Sequence, residues 1–257
     1  MNKTKLTADD EDKEDEEDET EVAAPKPEPF QPLSRNEWGE VGAVSLFGVI
    51  LPFGFSLQDL IWPESTKLRT SMTFAEDAYS TILQFGVTSL LIVYFLWRSG
   101  EPWTKWGIVR FVWWRDVALA VGLWLGVWFI QDVFYIVLRR RLGIDTTSTT
   151  PWPMDPSSGW EYCLLVPMCF AIAFSEEAVM RGYLIPRLER AFDSTAWAVV
   201  ATSAMFASYH LYQGAAWTAW LFFFGLFYGA LFAYLRRLWP LVIAHALADF
   251  VWYLGVA

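Results

Sequence analysis

The chain has 257 residues, 54% of them hydrophobic, with 20 Phe and 16 Trp but only two His, and a formal net charge of −10. Twelve of the 29 acids and four of the 19 Lys/Arg fall in residues 1–30, so the remainder is close to neutral. The low pI therefore belongs to a tail, and nucleic-acid binding is excluded because no basic face is concentrated anywhere.

Residues 1–36 run from an acid block, Asp9–Glu21, into a Pro-spaced segment ending near Pro29. Like charges repel and little here can be buried, which predicts a disordered acidic tail. The amino terminus is polyacidic where a secretory signal would be basic and then apolar, so no signal is expected.

Uncharged runs follow. Val41–Gln58 and Ala78–Trp97 contain no charged residue, Val117–Leu138 only Asp132, and Tyr162–Pro186 only Glu176, Glu177 and Arg181. Ser194–Leu235 is free of charge over its whole length and divides at Gln213-Gly214, and Leu238–Ala257 holds only Asp249. A bilayer core needs about 20 apolar residues per helix, which predicts about seven transmembrane helices. Barrel-type alternation is absent, so the expected class is an all-α, polytopic membrane bundle. Three parts are expected: the tail 1–36, amino-terminal spans and an interfacial segment over 37–159, and a core over 160–257.

Trp and Tyr gather at run ends, as interfacial belts do. Pro102–Trp114, mixed with Lys105 and Arg110, is expected to lie along the membrane surface. With loops assigned alternately, nine Lys/Arg fall on the amino-terminal side and five on the other, including Arg139–Arg141. The positive-inside rule then places the amino terminus in the cytoplasm, in what is expected to be the cell membrane. Cys163 and Cys169 are six residues apart, a helical rise of about 9 Å, too far for a disulfide.

Ionisable residues cost about 2.5–3.5 kcal/mol each at a membrane helix centre on insertion scales. Span four nevertheless carries Ser175-Glu176-Glu177 and Arg181, span five carries Phe206 and His210, and span seven carries His245 and Asp249. Both His of the protein belong to this set. Glu177 and Arg181, four apart with the acid first, are suited to an intrahelical ion pair. Glu176 points about 100° away and has no local cation, so it needs a partner from another helix, for which a histidine is available. His245 and Asp249 share one helical face. Glu176, His210 and His245/Asp249 can therefore meet in one polar pocket. By rise, Glu176 and His245 sit at similar depth on the amino-terminal side, whereas His210 lies about 26 Å from Asp193. That depth requires span five to begin later than Asp193 or to tilt steeply. Asp132 reads as a packing or pore-lining acid outside the site.

Glu-Glu-x-x-x-Arg, Phe-x-x-x-His and His-x-x-x-Asp, in this order and in separate apolar spans, resemble the CAAX-protease and bacteriocin-processing family of intramembrane proteases, which includes type II CAAX prenyl endopeptidases. The resemblance covers roughly 160–253, and Trp103–Arg110 is similar to the basic stretch many members carry before their core. It implies an intramembrane endopeptidase in which Glu176 is the catalytic carboxylate and His210 helps it activate water. It further implies that His245, with position 249, stabilises the oxyanion, while Glu177, Arg181 and Phe206 support the site. A carboxylate beside an imidazole can act as general base, and a donor near the carbonyl oxygen stabilises developing charge. The expected substrate is a membrane-associated or prenylated peptide or protein, cut near the cytoplasmic face.

Position 249 varies between Asn and Asp in the family, and an ionised Asp cannot donate to an oxyanion. Asp249 must then be protonated, orient His245 or bind a metal. Glu176, His210, His245 and Asp249 are chemically acceptable zinc ligands, but the compact His-Glu-x-x-His signature is absent, and a metal-free, cofactor-free mechanism is favoured. Two other classes compete. One is a non-proteolytic scaffold or bacteriocin-immunity-type protein; the other is a proton-coupled transporter, against which no inverted repeat is visible. No Cys-a-a-X motif closes the sequence, so it is not expected to be such a substrate itself.

Overall fold

The structure is a computed structural model that describes residues 31–62, 71–144 and 156–254. Its described part is all-helical. In chain order the helices are α1 (Arg35–Ile61), α2 (Phe74–Arg98), α3 (Trp113–Leu142), α4 (Gly159–Phe192), α5 (Thr195–Ser208), α6 (Ala215–Leu235) and α7 (Trp239–Tyr253). Each matches one of the seven uncharged runs, and α5 and α6 divide at the 3-10 turn Leu211–Gln213, beside the expected Gln213-Gly214 break. Five helices are long and apolar enough to cross a membrane. The 14-residue α5 and 15-residue α7 rise only about 21–23 Å, less than a hydrocarbon core, so they depend on their neighbours for burial.

Local sequence sets the helix ends. Ser34 and Glu37 form a capping box at α1, Thr73 and Glu76 at α2, and Ser158 and Glu161 at α4. The first helix thus starts at Arg35, two residues inside the expected tail; residues 1–30 of that tail lie outside the described residues. Helix α4 closes on left-handed Asp193 and α5 opens directly at Ser194, whose hydroxyl caps Trp197 N–H. Span five therefore does not begin late. His210 instead lies beyond the end of α5, in the turn to α6 rather than on a helix.

Helix α4 is the centre of the bundle. Of its most apolar stretch 56% is buried, against 11–33% for the other four long helices, whose apolar faces point outward as lipid-facing surfaces do. It packs on α2, α5 and α7, with α3 against α7 and the α5–α6 hairpin on its other side. Asp132 is exposed on α3 and does not line the central cavity, so it neither packs between helices nor lines that space, and it lies outside the site as expected.

The amino-terminal end of the bundle is a closed core. Met180, Tyr183, Leu184 and Ile185 of α4 are fully buried there. Trp106 was expected at the membrane surface with the rest of its segment, but it is only 1% exposed. Its ring stacks on Tyr183, and the Arg187 guanidinium lies 4.3 Å from the Trp106 centroid and 3.9 Å from that of Tyr183. Gly107 adopts φ +75, and a Cβ there would meet Phe232 at 2.5 Å, so the segment can pass only as glycine. Backbone bonds from Leu238 N–H to Gly107 O, and from the Trp239 indole to Val109 O, fasten it to the α6–α7 turn. Ion pairs tie the same end together: Arg190 with Glu37, Arg187 with Glu40, Arg236 with Glu189 and Arg237 with Asp116.

Candidate active site

A π-helical stretch, Ala178–Leu184, directly follows Glu176 and Glu177 in α4. Such wide turns are frequent at functional sites because they re-aim the residues around them. Here Glu177, fully buried, accepts from Arg181 Nη1 at 3.0 Å, the intrahelical pair expected from spacing. The Arg181 guanidinium also lies among the rings of Phe206 (5.0 Å), Tyr228 (5.6 Å) and Phe224 (5.9 Å), which offer π-faces to a charge removed from water.

His245 of α7 stands over both glutamates. Its Nδ1 lies 2.8 Å from Glu177 Oε1, a bond the carboxylate can only accept, so Nδ1 carries the hydrogen. Its Nε2 is 3.6 Å from Glu176 Oε2 and 3.9 Å from Asp249 Oδ1, within ion-pair range but longer than a direct hydrogen bond. Glu176 thus has the inter-helix histidine that its lack of a local cation required, and that histidine is His245. His245 and Asp249 do share a face.

His210 is held otherwise. Its Nδ1 lies 2.8 Å from the Phe206 carbonyl, which again assigns the hydrogen to Nδ1 and leaves Nε2 free of that bond. Its ring is 4.9 Å from Phe206 and 4.5 Å from Tyr209. No carboxylate of the described residues comes within ion-pair range of it. Phe206 is the hub of the pocket, touching His210, His245 and Arg181.

Glu176, His210, His245, Asp249 and Phe206 all line one cavity of about 790 Å³. Its walls are apolar and aromatic, with Phe55 of α1, Phe85 of α2, and Trp124 and Trp128 of α3 among them. Sequence reasoning missed Tyr209. It is buried, with its ring 4.5 Å from that of His210 and 5.6 Å from that of Phe206. Its place beside His210 in the chain was the available signal. Tyr228 and Phe224, 6.3 and 5.3 Å from His245 between ring centroids, carried no signal beyond an apolar run.

The four candidate zinc ligands line one cavity, where His245 Nε2 lies 3.6 Å from Glu176 and 3.9 Å from Asp249. Among the described residues no three His, Cys, Asp or Glu side chains are grouped as ligands. Cys163 and Cys169 are both free thiols.

Residues 158–251 match the family model described as type II CAAX prenyl endopeptidase Rce1-like. This segment belongs to that family. The match spans α4 to α7 and so contains every residue of the polar cluster. With the membrane-length helices, it makes the chain a multi-pass membrane protein carrying a CAAX-type endopeptidase core, and hence a peptidase. Neither a curated protein nor a solved structure gives a significant match.

Proposed function

We propose that this protein is an intramembrane endopeptidase in which Glu176 acts as general base toward water, without a metal or other cofactor. The observation that carries this reading is the 3.6 Å approach of His245 Nε2 to the Glu176 carboxylate inside a mostly apolar cavity. A base must lie within reach of an imidazole or water in such a space, and contacts in an unliganded site are commonly longer than in the reacting complex.

Water attacks the scissile carbonyl as Glu176 takes its proton; the same proton then passes to the leaving amine, so none is lost. The resemblance gives His210 to Glu176 and His245 to the oxyanion. The distances support the reverse assignment, with His245 beside the base; His210, its Nδ1 hydrogen committed to Phe206, serves the carbonyl oxygen as a donor only when Nε2 is protonated as well. Asp249, 3.9 Å from His245 Nε2, acts by orienting that ring. Glu177, Arg181 and Phe206 position the cluster.

The substrate is proposed to be a membrane-associated or prenylated peptide, because aromatic walls next to Glu176 suit an apolar chain. The amino terminus is proposed to lie in the cytoplasm of a cell-membrane protein, on the strength of nine Lys/Arg against five. Cleavage near the cytoplasmic face does not fit that orientation, since the cavity occupies the middle and the other half of the bundle.

Purified protein in detergent, given prenylated and unprenylated peptides, tests the reading. Cleavage is expected from the wild type, resistant to chelators and lost in Glu176→Gln. Full turnover by Glu176→Gln, or a stoichiometric metal lost in His245→Ala, sinks it.

A further inference from the structure

We infer that the substrate reaches Glu176 from the membrane face opposite the one that holds the amino-terminal tail. The inference rests on the peptidase reading for what is delivered, but its geometry is independent of that reading. With α1 starting at the tail face, successive helices alternate direction, so the end of α1, the start of α2, the turn 211–213 and the end of α7 lie at the far face.

The cavity is lined from the far half of the bundle and its middle, with α3 contributing only the mid-helix residues Trp124 to Gln131. Helix α1 contributes Phe47 to Asp59, α2 contributes Asp77 to Thr88, α6 begins at Trp217, and α7 contributes His245 to Tyr253. The turn itself lines the cavity through Tyr212 and Gln213. Helix α4 contributes only its middle, Ile172 to Val179. No lining residue comes from the stretch of α4 beyond Val179 or from the segment at Trp106.

The tail face is sealed by the fully buried Met180, Tyr183 and Leu184, by the Trp106–Arg187–Tyr183 sandwich, and by the Arg236–Glu189 and Arg237–Asp116 pairs. Close-packed side chains leave no passage there for a peptide. Between α1 and α2, Leu51, Phe55, Ser80, Leu83 and Val87 line the cavity and are also exposed, so it opens there from mid-depth toward the far end. The cavity is therefore a blind well whose floor is the polar cluster and whose mouth, between α1 and α2, lies away from the tail face. A cytoplasmic tail and a cytoplasmic cleavage site exclude one another in this fold.

The test uses full-length protein in sealed vesicles, with Cys163→Ser and Cys169→Ala removing the native thiols and Ser80→Cys placed on the exposed cavity wall of α2. An amino-terminal epitope reports which face carries the tail. A membrane-impermeant maleimide is expected to label residue 80 only in vesicles whose epitope is protected from external protease, and to label it fully in detergent. Labelling in the vesicles whose epitope is cleaved, or labelling from neither face despite reaction in detergent, overturns the inference. In a second arm, an impermeant peptide should be turned over by the epitope-protected vesicles alone, and turnover confined to the other population also overturns it. Absence of turnover even in detergent defeats the peptidase reading instead, and the thiol labelling then decides the sidedness by itself.

Discussion

The Glu177 carboxylate holds Arg181 and His245 at once: a single oxygen, Oε1, lies 3.0 Å from Arg181 Nη1 and 2.8 Å from His245 Nδ1. Two helices are joined through one buried atom. Removing it leaves a guanidinium and an imidazole without their acceptor in a space closed to water. Glu177→Ala should therefore cost about 3–5 kcal/mol of stability, the range for breaking a buried charge pair. Thermal unfolding in detergent reads this, and a melting curve equal to the wild type's would show that the bridge is not structural.

Glu176 is the contrasting neighbour. Its carboxylate has no direct ion pair shorter than 3.6 Å, so Glu176→Gln keeps shape and volume and should leave melting almost unchanged. Peptide cleavage should fall by about 10²–10⁴, the loss expected when a general base is removed. A matched pair of melting and activity assays on the two variants separates the glutamates: one fails to hold, the other fails to react.

The sequence made that separation legible and left other parts dark. Uncharged runs marked all seven helices because lipid requires both apolar side chains and satisfied backbone, and the four-residue spacings of Glu177–Arg181 and His245–Asp249 survive in the structure. Periodicity could not show that α5 ends at Ser208 and leaves His210 in a turn, because the run continues apolar beyond it. It also could not show the π-helical stretch after Glu177, which shifts the register of everything downstream. Trp106 looked interfacial by composition; only the fold reveals Arg187 stacked on it. Which histidine meets Glu176 is a tertiary fact, since both were equally available in the chain.

The two histidines should be separable by kinetics. If His210, protonated on both nitrogens, donates to the carbonyl oxygen, His210→Ala lowers kcat by about 10²–10³ with little change in KM, as for loss of one oxyanion donor. His210→Asn, which retains a side-chain N–H, should recover part of that loss. His245→Asn should not recover, because Asn is too short to span Glu177 and Glu176 together. Equal rates for His210→Asn and His210→Ala would return His210 to the role beside the base.

Asp249 approaches His245 through Oδ1, and its buried Oδ2 has no hydrogen-bond partner. At 3.9 Å Oδ1 makes no direct hydrogen bond to His245, and an amide oxygen places the same sense of partial charge there. Asp249→Asn should retain cleavage to within about tenfold, since replacing a charge-assisted contact by a neutral one changes it by roughly 1 kcal/mol. Asp249→Ala should lose considerably more. If Asn and Ala are equally damaging, the negative charge itself is required.

The closed end of the bundle offers a variant that is structural and remote from the chemistry. Asp116 is fully buried at the start of α3, where Oδ2 accepts from Val112 N–H at 2.7 Å and both oxygens accept from Arg237 at 2.8 Å. One carboxylate thus holds the first turn of α3 and anchors the α6–α7 turn. Arg237→Ala strands that carboxylate, and stability should fall by about 3–5 kcal/mol. The loss should add to that of Glu177→Ala, because the two sites share no partner. Cleavage per folded molecule should stay near wild type below the melting range. A drop in kcat without a drop in stability would mean instead that the turn tunes His245 directly, and a wild-type melting curve would show that the pair does not hold this end of the bundle.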